Sequence, residues 1–182
     1  SMAAKDVRWT SKHGNIYLND RVFHLKGVNW FGLDTPGPWL FGLEYRSMDS
    51  ILDLLVQNDV NSIRVPIAVK YALELNHIPS RQDFKADGDL VGKPWIEILR
   101  KLVAKSAERG ITIMLDMHTI TPGDNLQTGL WYTQTYSKDD FRQAWKNILK
   151  EFAANWNIWG LDLKNELHQA TWGAGLESDW NR

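Results

Sequence analysis

The order of apolar and polar positions along the chain predicts strands and helices in alternation. Four short apolar runs have the length and composition of buried strands: residues 24–30, 60–67, 111–118 and 158–164. Three stretches between them place apolar side chains on one helical face: residues 48–55, 94–109 and 137–152. Such alternation predicts an α/β fold built on a parallel sheet with right-handed crossovers.

The predicted helices carry sequence signals at their ends. Ser47 is a candidate N-cap for the first helix, Pro94 opens the second, and Gly110 closes it. Residues 137–140 have the pattern of a capping box ahead of the third helix. Residues 68–92 show no strong period, so we expect a long loop there, and long loops often carry function.

The amino-terminal residues predict a small hairpin. Residues 16–18 and 22–23 flank a turn at 19–20, and we expect this hairpin to cover the bottom of the sheet. We divide the chain into residues 1–14, a cloning remnant followed by a polar lead-in, and residues 15–182, one folded unit.

Composition and charge argue against several kinds of partner and site. The chain has 182 residues, enough for one sizeable core, and its formal net charge of -1 gives no reason to expect nucleic acid or an anionic membrane. No apolar run is long enough to span a bilayer. Because the chain has no cysteine, a disulfide framework and a thiolate metal site are both excluded.

The chain contains 10 tryptophans, and flat apolar rings with a polar edge suit wet binding surfaces. Trp95 and Trp145 fall on apolar helix faces, so we expect them in the core. Trp30, Trp131 and Trp172 follow strands or lie in loops, so we expect them at the surface.

Polar residues at the carboxyl ends of the predicted strands are the candidates for chemistry. Asn165 and Glu166 close the fourth strand, and a carboxylate beside an amide suits general acid–base catalysis. An isolated Asn–Glu dipeptide after a strand is more often only a polar turn. Asp116 and His118 share parity on the third strand and point to the same side, although a single histidine there is more often structural than catalytic.

The second predicted strand contains two unusual residues. Arg64 lies inside an apolar run and must be paired if it is buried, either in a structural ion pair or in support of a catalytic carboxylate. Pro66 cannot donate a hydrogen bond to a neighbouring strand, which argues against a central position unless it lies at the strand's end.

Four motifs in order make the chain resemble glycoside hydrolase family 5, the cellulase family of parallel (β/α)8 barrels. They are residues 27–32 (GVNWFG), 63–66 (IRVP), 115–118 (LDMH) and 163–166 (LKNE). Residues 130–132 (LWY) and 170–173 (ATWG) are similar to endoglucanase-type members. The resemblance implies an α/β barrel of which this chain supplies strands 1–4 and helices 1–3, the amino-terminal half.

The resemblance also implies residue roles. Glu166 is expected to be the general acid/base of a retaining mechanism on β-1,4-linked glucan, with Asn165, His118 and Arg64 as its catalytic companions. The side chains expected to bind the sugar are Asn29, Trp30, Trp131, Tyr132, His168 and Trp172. No cofactor is expected. Leu167 stands where the family usually has proline. Leucine restores a backbone N–H at this position, and the acid, Glu166, is still present.

A complete barrel of this type takes about 250 residues, so the resemblance implies that strands 5–8 are missing. The family's nucleophilic glutamate lies on the seventh strand, and we therefore expect the isolated fragment to be inactive. The expected partners are β-glucan and either the missing half-barrel or a second copy of the chain. We expect the parent protein to be secreted, with its leader absent from this sequence.

Two alternatives remain open from the residues alone. The chain could be a non-catalytic half-barrel that binds carbohydrate or a partner through its aromatic loops. It could also support metal-assisted hydrolysis through Asp116, His118 and Glu166, although the spacing of its histidines gives that reading little support.

Overall fold

Residues 6–80, 83–84, 86–124 and 129–181 are described by a computed structural model of the chain. The amino-terminal strands are β1 (Trp9–Lys12), β2 (Asn15–Leu18) and β3 (Arg21–Val22), and they form an antiparallel sheet. The remaining strands and α-helices follow in chain order: β4 (Gly27–Asn29), α1 (Met48–Gln57), β5 (Ser62–Ala68), α2 (Val69–Leu73), α3 (Trp95–Glu108), β6 (Thr112–Thr119), α4 (Lys138–Phe152) and β7 (Ile158–Asp162). A short 3-10 helix, Gly88–Leu90, precedes α3.

The second sheet confirms the predicted α/β class. Its four strands are parallel and lie in the order β4-β5-β6-β7, which is also their order along the chain. Helices α1, α3 and α4 make the crossovers. This is the arrangement of a (β/α)8 barrel, of which the chain supplies about half.

Residue parity divides the sheet into a helix-facing side and an inner side. Ile63, Val65 and Ile67 of β5 are fully buried in one core cluster with Ile113 and Leu115 of β6 and with the apolar faces of the helices. The even-numbered residues of these strands therefore point to the inner, concave side. That side carries the polar candidates for the site.

The helix signals are confirmed in detail. The Ser47 hydroxyl accepts a hydrogen bond from the Ser50 N–H at 3.1 Å, and Ser137 forms a reciprocal capping box with Asp140. Gly110 follows α3 with φ +70°, a conformation that costs glycine little and other residues more. Trp95 and Trp145 are buried on helix faces, as expected.

Several predicted boundaries differ from the structure. The loop expected at 68–92 contains α2, whose Val69, Tyr71 and Ala72 are buried. One turn and a half is too short to give a helical period, which explains the error. The first barrel strand is shorter than the predicted 24–30, and β1 lies inside the lead-in expected at 1–14, so the amino-terminal sheet begins before the expected boundary.

Pro66 lies within β5, a central strand, and coincides with the end of the pairing between β4 and β5. The carbonyl oxygen of Arg64 accepts from Trp30 N–H at 3.0 Å, so Arg64 faces β4. Alternation makes Pro66 face the same way. The pairing of β4 with β5 ends at Asn29 and Arg64, where Pro66 has no N–H to extend it.

The predicted hairpin is confirmed as β2–β3 and packs at the amino-terminal end of the parallel sheet. The Trp9 ring lies 5.1 Å from the Phe23 ring and 6.0 Å from the Trp159 ring, centroid to centroid. The indole N–H of Trp159 donates to the Ser62 hydroxyl at 2.9 Å, and Ser62 begins β5. The opposite, carboxyl end of the sheet is left for the site. No helix among the described residues has the length and apolar character that crossing a membrane requires.

Candidate active site

Asn165 and Glu166 lie directly after β7, at the carboxyl end of the sheet. The Asn165 N–H donates to the Met117 carbonyl at 3.1 Å, which continues the pairing between the ends of β6 and β7. Glu166 is exposed and has φ +50°, a left-handed conformation that is uncommon for a glutamate. Strained backbone of this kind concentrates at functional sites.

Arg64 ties together all four parallel strands. Its guanidinium donates to Asp162 Oδ2 at 2.9 and 3.1 Å, to Asn165 Oδ1 at 2.9 Å and to Asn29 Oδ1 at 3.2 Å. It also lies 3.0 Å from Asp116 Oδ2. The geometry is therefore compatible with both hypotheses for Arg64. Its ion pairs can serve the fold, and its contact with Asn165 brings it next to Glu166, the candidate catalytic carboxylate.

Asp116 and His118 form a pair on the inner face of β6, as their parity predicted. The His118 Nδ1 lies 2.6 Å from Asp116 Oδ2, and the Asp116 side chain is fully buried. Burial raises the pKa of the Asp116 carboxyl above its ordinary value, against the opposing effects of His118 and Arg64. The carboxylate fixes which way the imidazole ring faces.

The site also contains two charged residues that sequence reasoning missed. Asp162 ends β7 opposite Asp116, and Lys164 is buried with its ammonium on the carbonyl oxygens of His118 and Asn165, at 3.1 and 2.7 Å. Both share parity with Gly160, and both interrupt an apolar run. That interruption, treated as Arg64 was treated, is the signal that could have found them.

The residues expected to bind sugar are distributed unevenly. Trp172 is 73% exposed, and Asn29 and His168 are exposed as well. The His168 Nδ1 lies 2.9 Å from the Glu166 carbonyl oxygen, so its ring is part of the same turn. Tyr132 is half-buried.

Two of the expected surface tryptophans are buried, and that prediction is wrong. Trp30 is 7% exposed because the loop after β4 folds over it, and its indole N–H donates to the Phe41 carbonyl at 2.8 Å. Trp131 is 6% exposed because its ring packs edge-on against Trp180 at 5.0 Å. Position after a strand does not show which way such a loop folds.

The loops after β6 and β7 lie against each other at the mouth. The Gln169 N–H donates to the Gly129 carbonyl at 3.0 Å. A Cβ on Gly129 would lie 2.7 Å from the Gln169 nitrogen and 2.8 Å from the His168 ring, so only glycine permits this approach. The two loops that carry Trp131 and His168 are thereby held in register.

The described residues offer no cluster of three or more histidines, cysteines, aspartates or glutamates that could hold a metal ion. Asp116, His118 and Glu166, the residues of the metal alternative, therefore do not form a ligand set. Asp116 instead shares its Oδ2 between His118 and Arg64.

Comparison with known proteins agrees with this geometry. The sequence model of the family described as Cellulase (glycosyl hydrolase family 5) matches residues 23–182. The chain belongs to glycosyl hydrolase family 5. An endoglucanase from Paenibacillus polymyxa is 41% identical over 156 residues, which cover 85% of this chain and 38% of that protein. The major extracellular endoglucanase of Xanthomonas campestris pv. campestris is 32% identical over 164 residues, covering 89% and 33%.

Solved structures of this family superpose on the chain. A hyperthermophilic endocellulase from the archaeon Pyrococcus horikoshii matches with a TM-score of 0.88 and 31% identity over 97% of this chain and 51% of that one. The same endocellulase has also been solved in complex with cellotetraose. The chain thus spans about a third of the length of these curated family 5 relatives and about half of the solved chain.

Proposed function

We propose that this chain is the amino-terminal half of a catalytic barrel that hydrolyses β-1,4-linked glucan with retention of configuration. Glu166 is the general acid/base, and the other half of the barrel supplies the nucleophilic carboxylate. The observation that carries the proposal is the exposed Glu166 at the carboxyl end of β7, adjoining an Asn165 that Arg64 holds in place.

The mechanism has two steps, and Glu166 acts as an acid in the first and as a base in the second. In the first step, the nucleophile attacks the anomeric carbon while Glu166 gives its proton to the departing glycosidic oxygen. In the second step, Glu166 takes a proton from a water molecule, whose oxygen attacks the anomeric carbon and releases the nucleophile. Asn165 binds the sugar beside the reacting carbon, and Arg64 and His118 line the mouth with it.

The nucleophile is assigned to the other half because the nearby carboxylates are engaged. A retaining pair needs two carboxyl groups about 5–5.5 Å apart, with both free to reach the sugar. Asp116 is fully buried, and its Oδ2 faces both His118 and Arg64. Asp162 accepts two hydrogen bonds from Arg64. These two aspartates therefore support the site.

The substrate and location rest on the relatives. The Pyrococcus endocellulase binds cellotetraose, a β-1,4-linked oligosaccharide, and the Xanthomonas relative is an extracellular enzyme. We assign the same substrate class to the complete protein, with Trp172 as an exposed platform for a sugar ring. Secretion of the parent protein follows from the use of an insoluble or polymeric substrate.

The test is the substitution Glu166→Gln in the complete protein, assayed on β-glucan. Loss of the acid/base should lower kcat by about 10²–10⁴-fold. In kcat/KM, which reports the first step, the loss should be much smaller on an aryl cellobioside with a good leaving group, because that group needs little protonation to depart. Full activity of Glu166→Gln on β-glucan would refute the assignment.

Glu108→Gln is the matched control. Glu108 is an exposed glutamate at the carboxyl end of α3, away from the mouth, and makes long ion pairs with Lys105 at 3.6 Å and Arg109 at 3.9 Å. Its substitution should leave both rates unchanged.

The exposed Trp172 also fits the second candidate function, a half-barrel that binds carbohydrate without cleaving it. Turnover of β-glucan by the isolated 182-residue chain separates the two. Under the proposed function the isolated chain lacks the nucleophile and hydrolyses little or nothing, whereas the complete protein is active. A complete protein that binds β-glucan but does not cleave it would favour the second candidate.

A further inference from the structure

Lys164 is a buried lysine in a position where burial is costly. Its residue is 6% exposed, and lysine is rarely buried without a partner. The ammonium donates to the carbonyl oxygen of His118 at 3.1 Å and to that of Asn165 at 2.7 Å. One cation therefore joins the end of β6 to the turn that carries Glu166.

The surrounding charges explain how the cation is tolerated. Burial lowers the pKa of the Lys164 ammonium, and four nearby carboxylates oppose that effect: Asp116, Glu166, Asp162 and Asp124. Because these groups come from β6, β7 and the loops that follow them, the ammonium lies within the acidic part of the mouth.

The backbone that Lys164 holds is the strained part of the site. Glu166 has φ +50°, and its neighbour Asn165 donates its N–H to Met117 while its carbonyl accepts from Lys164. The peptide between Asn165 and Glu166 is thus fixed at its oxygen by a charged donor. A left-handed glutamate is strained and persists only where the surrounding structure holds it.

We propose that Lys164 is a positioning residue for Glu166, acting as a clamp that ties the Asn165 carbonyl to the His118 carbonyl and so holds Glu166 in the orientation that proton transfer needs. The proposal rests on the proposed function, since it assigns Lys164 to the proton transfer by Glu166. It differs from a purely structural role because its loss should damage protonation of the leaving group more than it damages binding.

The test measures Lys164→Met in the complete protein on two substrates. Methionine has similar length and apolar bulk but no donor or charge. On β-glucan, kcat should fall by about 10–100-fold with KM nearly unchanged, because a displaced acid loses part of the contribution of general acid catalysis. On 2,4-dinitrophenyl β-cellobioside, whose leaving group departs without a proton, the first step should change by less than about threefold.

Two further variants keep the test informative if Lys164→Met does not fold. Lys164→Arg keeps the charge and the donors and should recover most of the activity on β-glucan. Lys164→Gln keeps a donor without the charge and should fall between methionine and arginine. Amide hydrogen exchange at Asn165 adds a direct readout: the clamp's loss should speed that exchange about tenfold or more.

Lys101→Met is the matched control. Lys101 is a largely buried lysine on α3 that bridges Asp87 and Asp89 at 2.7 Å, outside the mouth. Its loss should lower stability without changing the ratio of the two substrate rates.

The outcomes separate the clamp from the proposed function. If Glu166→Gln loses activity on β-glucan while Lys164→Met keeps it, or loses rate equally on both substrates, the clamp is refuted and the proposed function stands. If Glu166→Gln keeps full activity, the proposed function fails first. Leaving-group dependence in both variants, with rescue by Lys164→Arg, supports the clamp.

Discussion

At the scale of single residues, the site depends on one guanidinium. Arg64 lies on β5 and contacts side chains from β4, β6, β7 and the turn after β7. The planar fork of arginine can satisfy several acceptors at once, which a lysine ammonium on a flexible stem does less well. The charge also offsets two neighbouring aspartates, Asp116 and Asp162.

Replacing Arg64 with methionine should therefore destabilise the fold, by about 3 kcal/mol near neutral pH, because it leaves Asp116 and Asp162 together without their cation. Burial already raises the pKa of Asp116 above 3.8, and the loss of Arg64 raises it further. An acid with a raised folded-state pKa binds protons on folding, so its cost grows as pH rises from 3.8 through the folded-state pKa. Urea unfolding at a series of pH values should show a deficit that shrinks towards about pH 4.

Arg64→Lys is the control for that prediction. It keeps a positive charge beside the aspartates and should recover much of the stability, but a single ammonium cannot also hold Asn29 and Asn165. Activity of the complete protein should stay low while stability returns. A deficit in Arg64→Met that is the same at every pH would contradict the electrostatic explanation.

Sequence reasoning found Arg64, Asn165 and His118 because each is polar in an otherwise apolar strand or at its end. It missed the roles of Asp162 and Lys164, which depend on partners far away in sequence. Asp162 is 98 residues from Arg64, and Lys164 is 46 residues from His118, whose carbonyl is one of the two that it binds. Parity gives the face of a strand to which a side chain points, but the partner depends on register between strands.

At the scale of elements, the loop after β7 is built around one carboxylate. Asp179 accepts from the Thr171 hydroxyl at 2.6 Å and from the backbone N–H groups of Ala174, Gly175 and Leu176 at 2.8–3.2 Å. Thr171 also pairs with Asp179 through the backbone. This hub fixes the turn that presents the exposed Trp172.

Asp179→Ala should loosen that turn. The amides of Gly175 and Leu176 lose their acceptor, so their hydrogen exchange should rise about tenfold or more, and binding of cello-oligosaccharides by the complete protein should weaken with little change in kcat. The exposed Asp139, at the start of α4, supplies the control Asp139→Ala, for which neither quantity should change. Unchanged exchange in Asp179→Ala would show that the carboxylate does not hold the loop.

The same carboxylate predicts a pH dependence for the loop. The Thr171 hydroxyl and the backbone N–H groups hold the pKa of Asp179 below its ordinary value of 3.8. A depressed folded-state pKa contributes stability above pH 3.8 that is lost as pH falls through the folded-state value. Protection of the Gly175 and Leu176 amides should therefore persist at pH 5 and disappear in stronger acid.

Elements with explicit end signals were predicted well, and short ones were not. Helices α1, α3 and α4 have caps or glycine stops and long apolar faces, which identify them without tertiary information. Helix α2 has five residues and is stabilised by burial of Tyr71, whose hydroxyl donates to the Thr35 carbonyl at 3.0 Å. No local pattern reveals a helix that depends on such a distant contact.

At the scale of the whole molecule, the parallel sheet presents apolar surface near both of its edge strands, β4 and β7. Near β4, Leu25 and Val28 are exposed and line a cavity of about 300 Å³ together with Met114 and Trp159. Near β7, a second cavity of about 270 Å³ lies between α4 and the strand and is lined by Leu149 and Leu161, among others. Exposed apolar surface next to unpaired strand edges favours association.

We therefore expect the isolated 182-residue chain to associate at micromolar concentration, and light scattering measures this directly. The separately produced carboxyl-terminal half should suppress the association and restore hydrolysis, whereas pairing of two identical chains across a two-fold axis would bring together two copies of Glu166 without the proposed nucleophile. Val28→Lys places a charge on the β4 edge and should reduce association, because charged edges resist pairing. Leu54→Lys changes another exposed apolar residue, on α1 and away from both edges, and should not reduce association. A monodisperse monomer with cooperative unfolding would show instead that four parallel strands with their helices are sufficient by themselves.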